Sequence, residues 1–394
     1  MISVAEAHSR LLALFSRLDQ ETVPLERANG RALAADVVAA RSQPPFSASA
    51  MDGYAVRNDD VAPGTTLTVI GTSTAGERTD LSISLGTAVR IFTGAPVPDG
   101  ADRIVIQEDV TRDGDRITLG TNLDSQVYIR PAGTDFEEGA RLQAGQRLDP
   151  SRIALIAAMN HGTVQVSRKP VVAIIATGNE LVTPGSPVGR DQIPASNTYG
   201  IQAMLQDHGA EARLMPIAED TPESLTAVLD LASDADLIVT IGGASVGDFD
   251  LVQSTAVERG LQLEFHKIAM RPGKPLMAGT LKGTPMIGLP GNPVSAMVCA
   301  RLFLVPVVHR MLGLPDGMPE RHAAELATDI GKNGIREHYM RATVSWENRR
   351  FICAPWQKQD SSLLSVLAKS NALMVRAPED PARQAGDLIE FLWF

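Results

Sequence analysis

Cysteine is scarce in this chain of 394 residues, which contains only Cys299 and Cys353 and no C-x-x-C spacing. This usage suits a reducing cytoplasm and gives no thiolate metal site. No apolar run approaches the roughly 20 residues that a helix needs to span a bilayer, so we predict no membrane partner. The histidines form no H-E-x-x-H pattern, which argues against a zinc hydrolase.

Aromatic residues make up only 4% of the sequence, so its cores must consist mainly of Ala, Val, Leu and Ile. Acidic residues outnumber basic ones by 46 to 36, and the net charge of −10 argues against broad binding of nucleic acid. The N-terminus carries Glu6 and lacks a basic segment, which is not typical of a signal peptide. Ser3 and Glu6 instead have the spacing of a capping box that begins an amphipathic helix at about 3–19.

The length of the chain, and the changes in its sequence pattern from one region to the next, predict a multidomain α/β protein. A helix and a strand are followed, after Pro44 and Pro45, by short β-like runs that suggest an inserted β domain. Asp149 and Pro150 then begin another helix, which indicates that the first domain is discontinuous. The predicted units are an N-terminal domain of helix plus strands (1–45 and 131–165), an inserted small β domain (46–130), a central α/β domain (166–314) and a C-terminal β domain without helical period (315–394).

The central region alternates strands and helices, which predicts a doubly wound, mostly parallel sheet with helices on both faces. VVAIIAT, EARLMPIA and DLIVTIG are its clearest strands. One predicted helix ends at Gly209, and the next begins with Thr221 as N-cap and Pro222 in its first turn. Ligands of such folds bind beyond the carboxyl ends of the strands, where the distinctive loops of this region also lie.

One window of this region contains no acidic residue, from Phe265 to Pro315, although the chain as a whole is acidic. A basic window of this kind is typical of an anion site, and Arg271-Pro-Gly-Lys-Pro holds two cations in a stiff loop. Asn292 can cap the helix that follows it, whose first N–H groups would then face an oxyanion. The alternatives are that Gly-Asn-Pro at 291–293 is only a tight turn and that Lys267, Arg271 and Lys274 only make the surface soluble. The cations of the whole window are Lys267, Arg271, Lys274, Lys282, Arg301 and Arg310.

Carboxylates follow other strands of the same region. Two or three converging carboxylates with a substrate phosphate are how proteins usually hold Mg²⁺, and Asp220, Asp248 and Asp250, with Glu180, fit that pattern. Each Asp also fits a cap or turn. The phosphate-binding motifs G-x-x-x-x-G-K-[ST] and G-x-G-x-x-G after a strand are absent. The GGASVGD loop at 242–248 therefore indicates only that the backbone of this loop closely approaches a ligand or a neighbouring part of the chain.

Seven segments of the first three regions occur together and in order in one enzyme family. On these segments the chain resembles the molybdopterin molybdenumtransferases, the family that includes the C-terminal domain of gephyrin. The C-terminal region matches in length and β character only. The segments are PPFSASAMDGYAV at 44–56, RIFTGAPVPDGAD at 90–102, IRPAGTD at 129–135, ATGNELV at 176–182, TIGGASVGDFD at 240–250, KIAMRPGKP at 267–275 and GLPGNPVSA at 288–296.

The resemblance implies a reaction that inserts molybdate into adenylylated molybdopterin, with Mg²⁺, and releases AMP and the molybdenum cofactor. It also implies a homodimer, with the active site between the central domain of one subunit and the inserted β domain of the other. The further partners that it implies are the adenylyltransferase that makes the adenylylated pterin and the molybdoenzymes that accept the cofactor.

Carried over position by position, the resemblance assigns roles to individual residues. One position departs from the family, because Arg271 stands where lysine is often found. The planar guanidinium group of arginine there replaces the compact ammonium charge of lysine. The metal ligands would be Glu180, Asp220 and Asp250. The catalytic positions are Asp52, Thr93, Asp135, Glu180, Asp220 and Asp250, and the substrate-binding positions are Gly242, Gly243, Ser245, Gly247, Lys267, Arg271, Lys274, Pro290, Gly291, Asn292 and Pro293.

Two other functions fit parts of the sequence. The adenylyltransferase shares the GG-x-S-x-G-x-x-D loop, but its activity does not need the other three regions. A gephyrin-like binding scaffold is the second alternative. The chain shows no long charge run or disordered tail, and intact acidic and basic site residues favour an enzyme over a scaffold.

Overall fold

The computed structural model describes residues 1–77, 80–243 and 251–394. A six-stranded sheet at its centre confirms the predicted multidomain α/β fold. Its strands are β1 (Val171–Ala176), β2 (Glu211–Leu214), β3 (Leu237–Ile241), β4 (Leu261–His266), β5 (Met277–Leu281) and β6 (Thr284–Leu289). Their order in the sheet is β2-β1-β3-β6-β5-β4. The strands β1, β2, β3 and β6 are parallel, whereas β5 runs antiparallel to both of its neighbours, β4 and β6.

Helices cover both faces of this sheet, as expected for strands that are apolar along their whole length. Val172 and Ile174 of β1 pack into the core on one face, together with Ile201 of helix α1 (Ser196–Asp207). Ala173 and Ile175 pack on the other face, against helix α2 (Pro222–Leu231) and helix α3 (Leu251–Glu258). The alternation of side chains along one strand therefore supplies two separate cores.

Three of the predicted caps are confirmed, at Ser3, Asp149 and Thr221, but one helix is shorter than expected. Thr221 Oγ1 accepts a hydrogen bond of 3.2 Å from the Ser224 N–H, and Asp149 caps the helix Pro150–Ala158. Ser3 caps the N-terminal helix, which ends at Leu12 rather than near residue 19. The helix stops because the chain turns back, so that the Leu18 N–H donates to the carbonyl of Met311 instead.

One helical stretch, Pro293–Leu312, is long and apolar enough to cross a membrane by length and composition, contrary to the expectation from the sequence. It consists of a helix (Pro293–Cys299), a π-helical turn (Ala300–Leu304) and a second helix (Val305–Leu312). The fold buries 78% of its 18-residue apolar window, and Leu302 and Phe303 have no exposed surface. Its apolar character is that of a core helix.

Strands before and after the inserted region pair with one another. Gln20–Pro24 is antiparallel to Thr163–Ser167, and Val37–Val38 is antiparallel to Arg141–Leu142. The domain boundaries themselves stay a prediction. Between these pairs the chain forms a second six-stranded sheet from Gly53–Val56, Thr66–Ser73, Thr87–Ile91, Arg103–Ile106, Val110–Asp113 and Arg116–Leu119.

The C-terminal strands close into a barrel, because the long strand Glu337–Glu347 pairs with Arg350–Pro355 along one half and with Ala372–Arg376 along the other. His322–Leu326 and Leu388–Trp393 complete the ring. A short helix, Leu364–Leu367, was missed from the sequence because one turn has no readable period. The two-residue strand Met270–Arg271 of the central region pairs in parallel with the start of the long strand.

Two imidazoles meet where α1 ends against the long helix, with 3.0 Å between His208 Nδ1 and His309 Nε2. Burial, followed by repulsion from His309, Arg301 and Arg147, lowers the pKa of His208 to about 4, against a weaker opposing effect of Asp207. The unfolded chain therefore binds more protons than the folded protein between about pH 6.5 and pH 4. The stability that the neutral His208 contributes is fully present above this pH window and is lost as the pH falls through it.

We therefore expect the midpoint of thermal unfolding to fall by about 3 °C between pH 7.5 and pH 5. The fall should be smaller in His208→Asn, which keeps a polar group near Nδ1 but does not titrate. His161→Asn, at a half-buried histidine outside this pair, is the control. Differential scanning calorimetry at matched ionic strength measures the slope, and an unchanged slope in His208→Asn would contradict the assignment.

Candidate functional site

A cavity of about 1050 Å³ opens beyond the carboxyl ends of the parallel strands. Thr177 and Gly178 line it directly after β1, Gly242 and Gly243 directly after β3, and Pro290 directly after β6. These loops share one edge of the sheet because the three strands are parallel. The cavity therefore lies where a doubly wound fold binds its ligands.

Nine residues singled out from the sequence line this one cavity. Acidic and basic side chains are both represented, and glycines that leave the backbone accessible surround the same space. Ser245, Gly247, Asp248 and Asp250 lie outside the described residues. The nine are Glu180, Asp220, Gly242, Gly243, Lys274, Pro290, Gly291, Asn292 and Pro293.

The glycines let three loops pack closely above the sheet. Gly242 has a φ of +98°, and a Cβ there would lie 2.7 Å from the carbonyl oxygen of Thr177. A Cβ on Gly291 would lie 3.4 Å from the Cα of Gly242. Only a residue without a side chain tolerates the conformation of Gly242, so this loop shape is specified by the sequence.

The two carboxylates on the described part of the cavity are held differently. Asp220 is clamped to Asn179: the Asp220 N–H donates to Asn179 Oδ1 over 2.9 Å, and the Asn179 N–H donates to Asp220 Oδ2 over 3.3 Å. Glu180 folds back over Gly178, where a Cβ would lie 2.5 Å from the carboxylate. Within the described residues, no group of three or more His, Cys, Asp or Glu is arranged to hold a metal ion. The described part of the cavity therefore offers a metal ion two carboxylates, and one oxygen of Asp220 already accepts a hydrogen bond from Asn179.

The basic loop between β4 and β5 divides its cations between two places. Lys274 lines the cavity, whereas Lys267 and Arg271 do not. The loop is closed by hydrogen bonds from the Lys267 N–H to the carbonyl of Leu276 (3.0 Å) and from the Ile268 N–H to that of Lys274 (2.9 Å). Lys267 has a φ of +69°, which is costly for a residue with a side chain and is a known mark of functional loops.

Asn292 occupies the N-cap position of the helix Pro293–Cys299, but its side chain does not bond the first turn. Its Nδ2 instead donates to Ser361 Oγ over 3.1 Å, and the Val294 N–H donates to the carbonyl of Ser361 over 3.0 Å. The C-terminal barrel region therefore reaches this helix start, and Ser362 lines the cavity. The expected side-chain cap is wrong because the serine-containing loop competes for the Asn292 amide.

Asn197 is another residue that sequence reasoning missed. It stands in the first turn of α1 and lines the cavity, and its Nδ2 donates to the carbonyl of Gly291 over 2.7 Å. The bond fixes the Gly-Asn-Pro loop against a neighbouring element. The only sequence signal for it is the position of a polar residue at a helix start.

Asp52, Thr93 and Asp135 do not line the cavity. Asp52 and Thr93 are nevertheless brought together, because Asp52 Oδ1 accepts from the Thr93 N–H (2.8 Å) and from Thr93 Oγ1 (2.7 Å). These two hydrogen bonds, with a smaller effect of Arg90, lower the pKa of Asp52. Asp135 is exposed, and its N–H donates to the carbonyl of Gln43. The inserted β region thus carries an ionised carboxylate of its own.

Comparison with known families assigns most of the chain. Residues 2–160 match the family described as "MoeA N-terminal region (domain I and II)". Residues 173–310 match "Probable molybdopterin binding domain", and residues 323–394 match "MoeA C-terminal region (domain IV)".

Individual proteins are similar over nearly the full length. The chain is 36% identical to molybdopterin molybdenumtransferase 2 of Mycobacterium tuberculosis, covering 100% of this chain and 99% of that protein. It is 34% identical to the molybdopterin molybdenumtransferase of Nostoc sp., covering 92% and 86% respectively. The crystal structure of the molybdopterin biosynthesis moeA protein from Pyrococcus horikoshii OT3 superposes with a TM-score of 0.85, at 27% identity and with both chains fully covered.

Proposed function

Because the chain belongs to the molybdopterin molybdenumtransferase family, we propose that it inserts molybdate into adenylylated molybdopterin and releases AMP and the molybdenum cofactor. The observation that supports this activity most directly is that Lys274, Glu180 and Asp220 line one and the same cavity. A substrate that carries phosphates and receives an oxyanion requires both a cationic and a metal-binding edge.

The cationic edge would bind and orient the oxyanions. Lys274 supplies a point charge inside the cavity, and its loop is stiffened by prolines and by closing hydrogen bonds. Lys267 and Arg271 lie on the same loop, and we place them around the mouth rather than inside. No acidic residue interrupts the sequence from Phe265 to Pro315, so no like charge from this window opposes an anion.

The carboxylate edge would hold Mg²⁺. Asn179 engages only Oδ2 of Asp220 among the described contacts, and Glu180 lines the same cavity, so two oxygen ligands of the kind that Mg²⁺ prefers are at hand. Asp250 is proposed as the third. When bound, Mg²⁺ would neutralise charge on the phosphoanhydride. Asn179 would keep the Asp220 carboxylate at the cavity by clamping its backbone and one oxygen.

We place the protein in the cytoplasm as a homodimer, in which Asp52, Thr93 and Asp135 face the cavity of the other subunit. Two facts support this arrangement: none of the described residues of the inserted region lines the cavity of its own chain, and the region carries the ionised Asp52 held by Thr93. Contacts with the adenylyltransferase and with acceptor molybdoenzymes belong to the same proposal.

The shared site predicts complementation between two inactive variants. Asp52→Ala and Asp220→Ala damage different halves, so a mixed dimer would contain one intact site. When the subunits mix freely, co-expression should restore about a quarter of the activity of the unaltered protein, and mixed dimers isolated through two different affinity tags should show about half. Mixed dimers that stay as inactive as either parent would contradict the shared site.

AMP release tests the activity itself. Purified protein with Mg²⁺, molybdate and adenylylated molybdopterin should release AMP well above a control without molybdate, and omission of Mg²⁺ should abolish the release. Release at background level would overturn the proposal. Consumption of ATP with free molybdopterin would instead identify an adenylyltransferase.

A further inference from the structure

A short two-stranded ribbon forms one rim of the cavity, and we call Leu181–Val182 with Ile193–Pro194 the rim ribbon. Its strands pair in parallel, and the connection 183–192 runs between them. The Ile193 N–H donates to the carbonyl of Glu180 over 2.8 Å, and the Ala195 N–H donates to that of Val182 over 2.9 Å. Backbone hydrogen bonds therefore place this ribbon immediately beside Glu180.

The side chains of the rim ribbon are apolar and face open space. Leu181, Ile193 and Pro194 all line the cavity, and Ile193 is 55% exposed. None of them belongs to a described hydrophobic core, so the fold does not need their apolar character. Apolar side chains gathered on the wall of a cleft, next to a few polar groups, are typical of a surface that a ligand covers.

The rim ribbon and Lys274 reach the cavity from different strands of the sheet. The ribbon follows β1, whereas Lys274 precedes β5, and the sheet order places three strand intervals between these two strands. At about 4.8 Å for each interval, the ends of the two strands are roughly 14 Å apart. A single extended substrate can contact both loops, with a different part at each.

We infer that the rim ribbon is the wall on which the adenine ring of the substrate packs. This inference rests on the proposed function, in which the molybdate-accepting end of the pterin lies at Lys274 and the nucleotide is left for the loop after β1. Leu181, Ile193 and Pro194 cover one face of a planar ring by apolar contact. Glu180, one residue before the ribbon, then lies where the phosphate that joins nucleotide and pterin passes.

The test compares ligands with and without the base. Isothermal titration calorimetry with AMP and Mg²⁺ should show that Ile193→Ser raises the Kd on the order of tenfold, because apolar contact with the ring is lost. The Kd for ribose 5-phosphate, which lacks adenine, should not change. Val188→Ser is the matched control, since Val188 is 52% exposed in the same connection but does not line the cavity, and it should bind AMP normally.

Several outcomes would overturn the inference. An equal loss for ribose 5-phosphate, or an equal loss in Val188→Ser, would show that the whole connection had been disturbed. Weaker binding of free molybdopterin with unchanged binding of AMP would assign the wall to the pterin, and an unaltered protein that does not bind AMP would remove the adenine site altogether. Failure of the proposed function is a separate result: the unaltered protein would then release no AMP, whatever the effect of Ile193→Ser.

Discussion

Lys274→Gln is expected to lower the rate of AMP release about a hundredfold, with little change in stability. Lys274 is the cation of the basic loop that lines the described cavity, and glutamine keeps the length of the side chain while removing its charge. A preorganised charge that faces an oxyanion is worth more in a partly enclosed site than in water. Single-turnover release of AMP, followed by chromatography, measures the effect.

Lys282→Gln provides the matched control. Lys274 precedes β5 and Lys282 follows it, so the same substitution is made at the two ends of one strand. Lys282 is exposed in a turn and does not line the cavity. Equal rates for Lys274→Gln and the unaltered protein, or an equal loss in Lys282→Gln, would remove Lys274 from the mechanism.

Gly53→Ala is expected to destabilise the inserted β region by about 3 kcal/mol. A Cβ at Gly53 would lie 2.1 Å from the carbonyl oxygen of Val105 on the neighbouring strand, and backbone on a paired strand cannot rotate away as a side chain can. The strand must shift, and Asp52 moves with it, so AMP release should fall as well. Urea unfolding followed by circular dichroism measures the loss.

Gly162→Ala is the control for this substitution. A Cβ at Gly162 would meet no atom within 4 Å, and its backbone conformation is open to any residue. We expect its free energy of unfolding to match that of the unaltered protein within about 0.5 kcal/mol. A Gly53→Ala variant as stable as Gly162→Ala would show that the strands of this sheet can separate without cost.

Local signals predicted much of the fold. β1 and β3 were predictable because they are continuous apolar runs, and the caps at Ser3, Asp149 and Thr221 because short polar side chains bond their own first turn. The placement of Glu180 and Asp220 at one cavity followed from the rule that parallel strands end at a common edge.

Tertiary contacts decided the rest. The N-terminal helix ends at Leu12, and a few residues further on the Leu18 N–H bonds a distant carbonyl, that of Met311. Asn292 does not cap its helix because Ser361, far along the chain, accepts from its amide. Ser362 reaches the cavity from a region in which only length and β character could be compared. A sequence pattern does not contain these pairings, since each joins segments that no local rule connects.

The parallel pairing of Met270–Arg271 with the first residues of the barrel has a consequence for recombining parts of this protein. Lys274 is three residues from that pairing, and Ser361 binds the start of the helix beyond Asn292. The C-terminal barrel is therefore not a module that can be exchanged at residue 315. A chimaera made with the barrel of a relative must also import the partner strand at 270–271 and keep the Ser361 contact, or the graft will misplace a cavity to which the barrel contributes few residues.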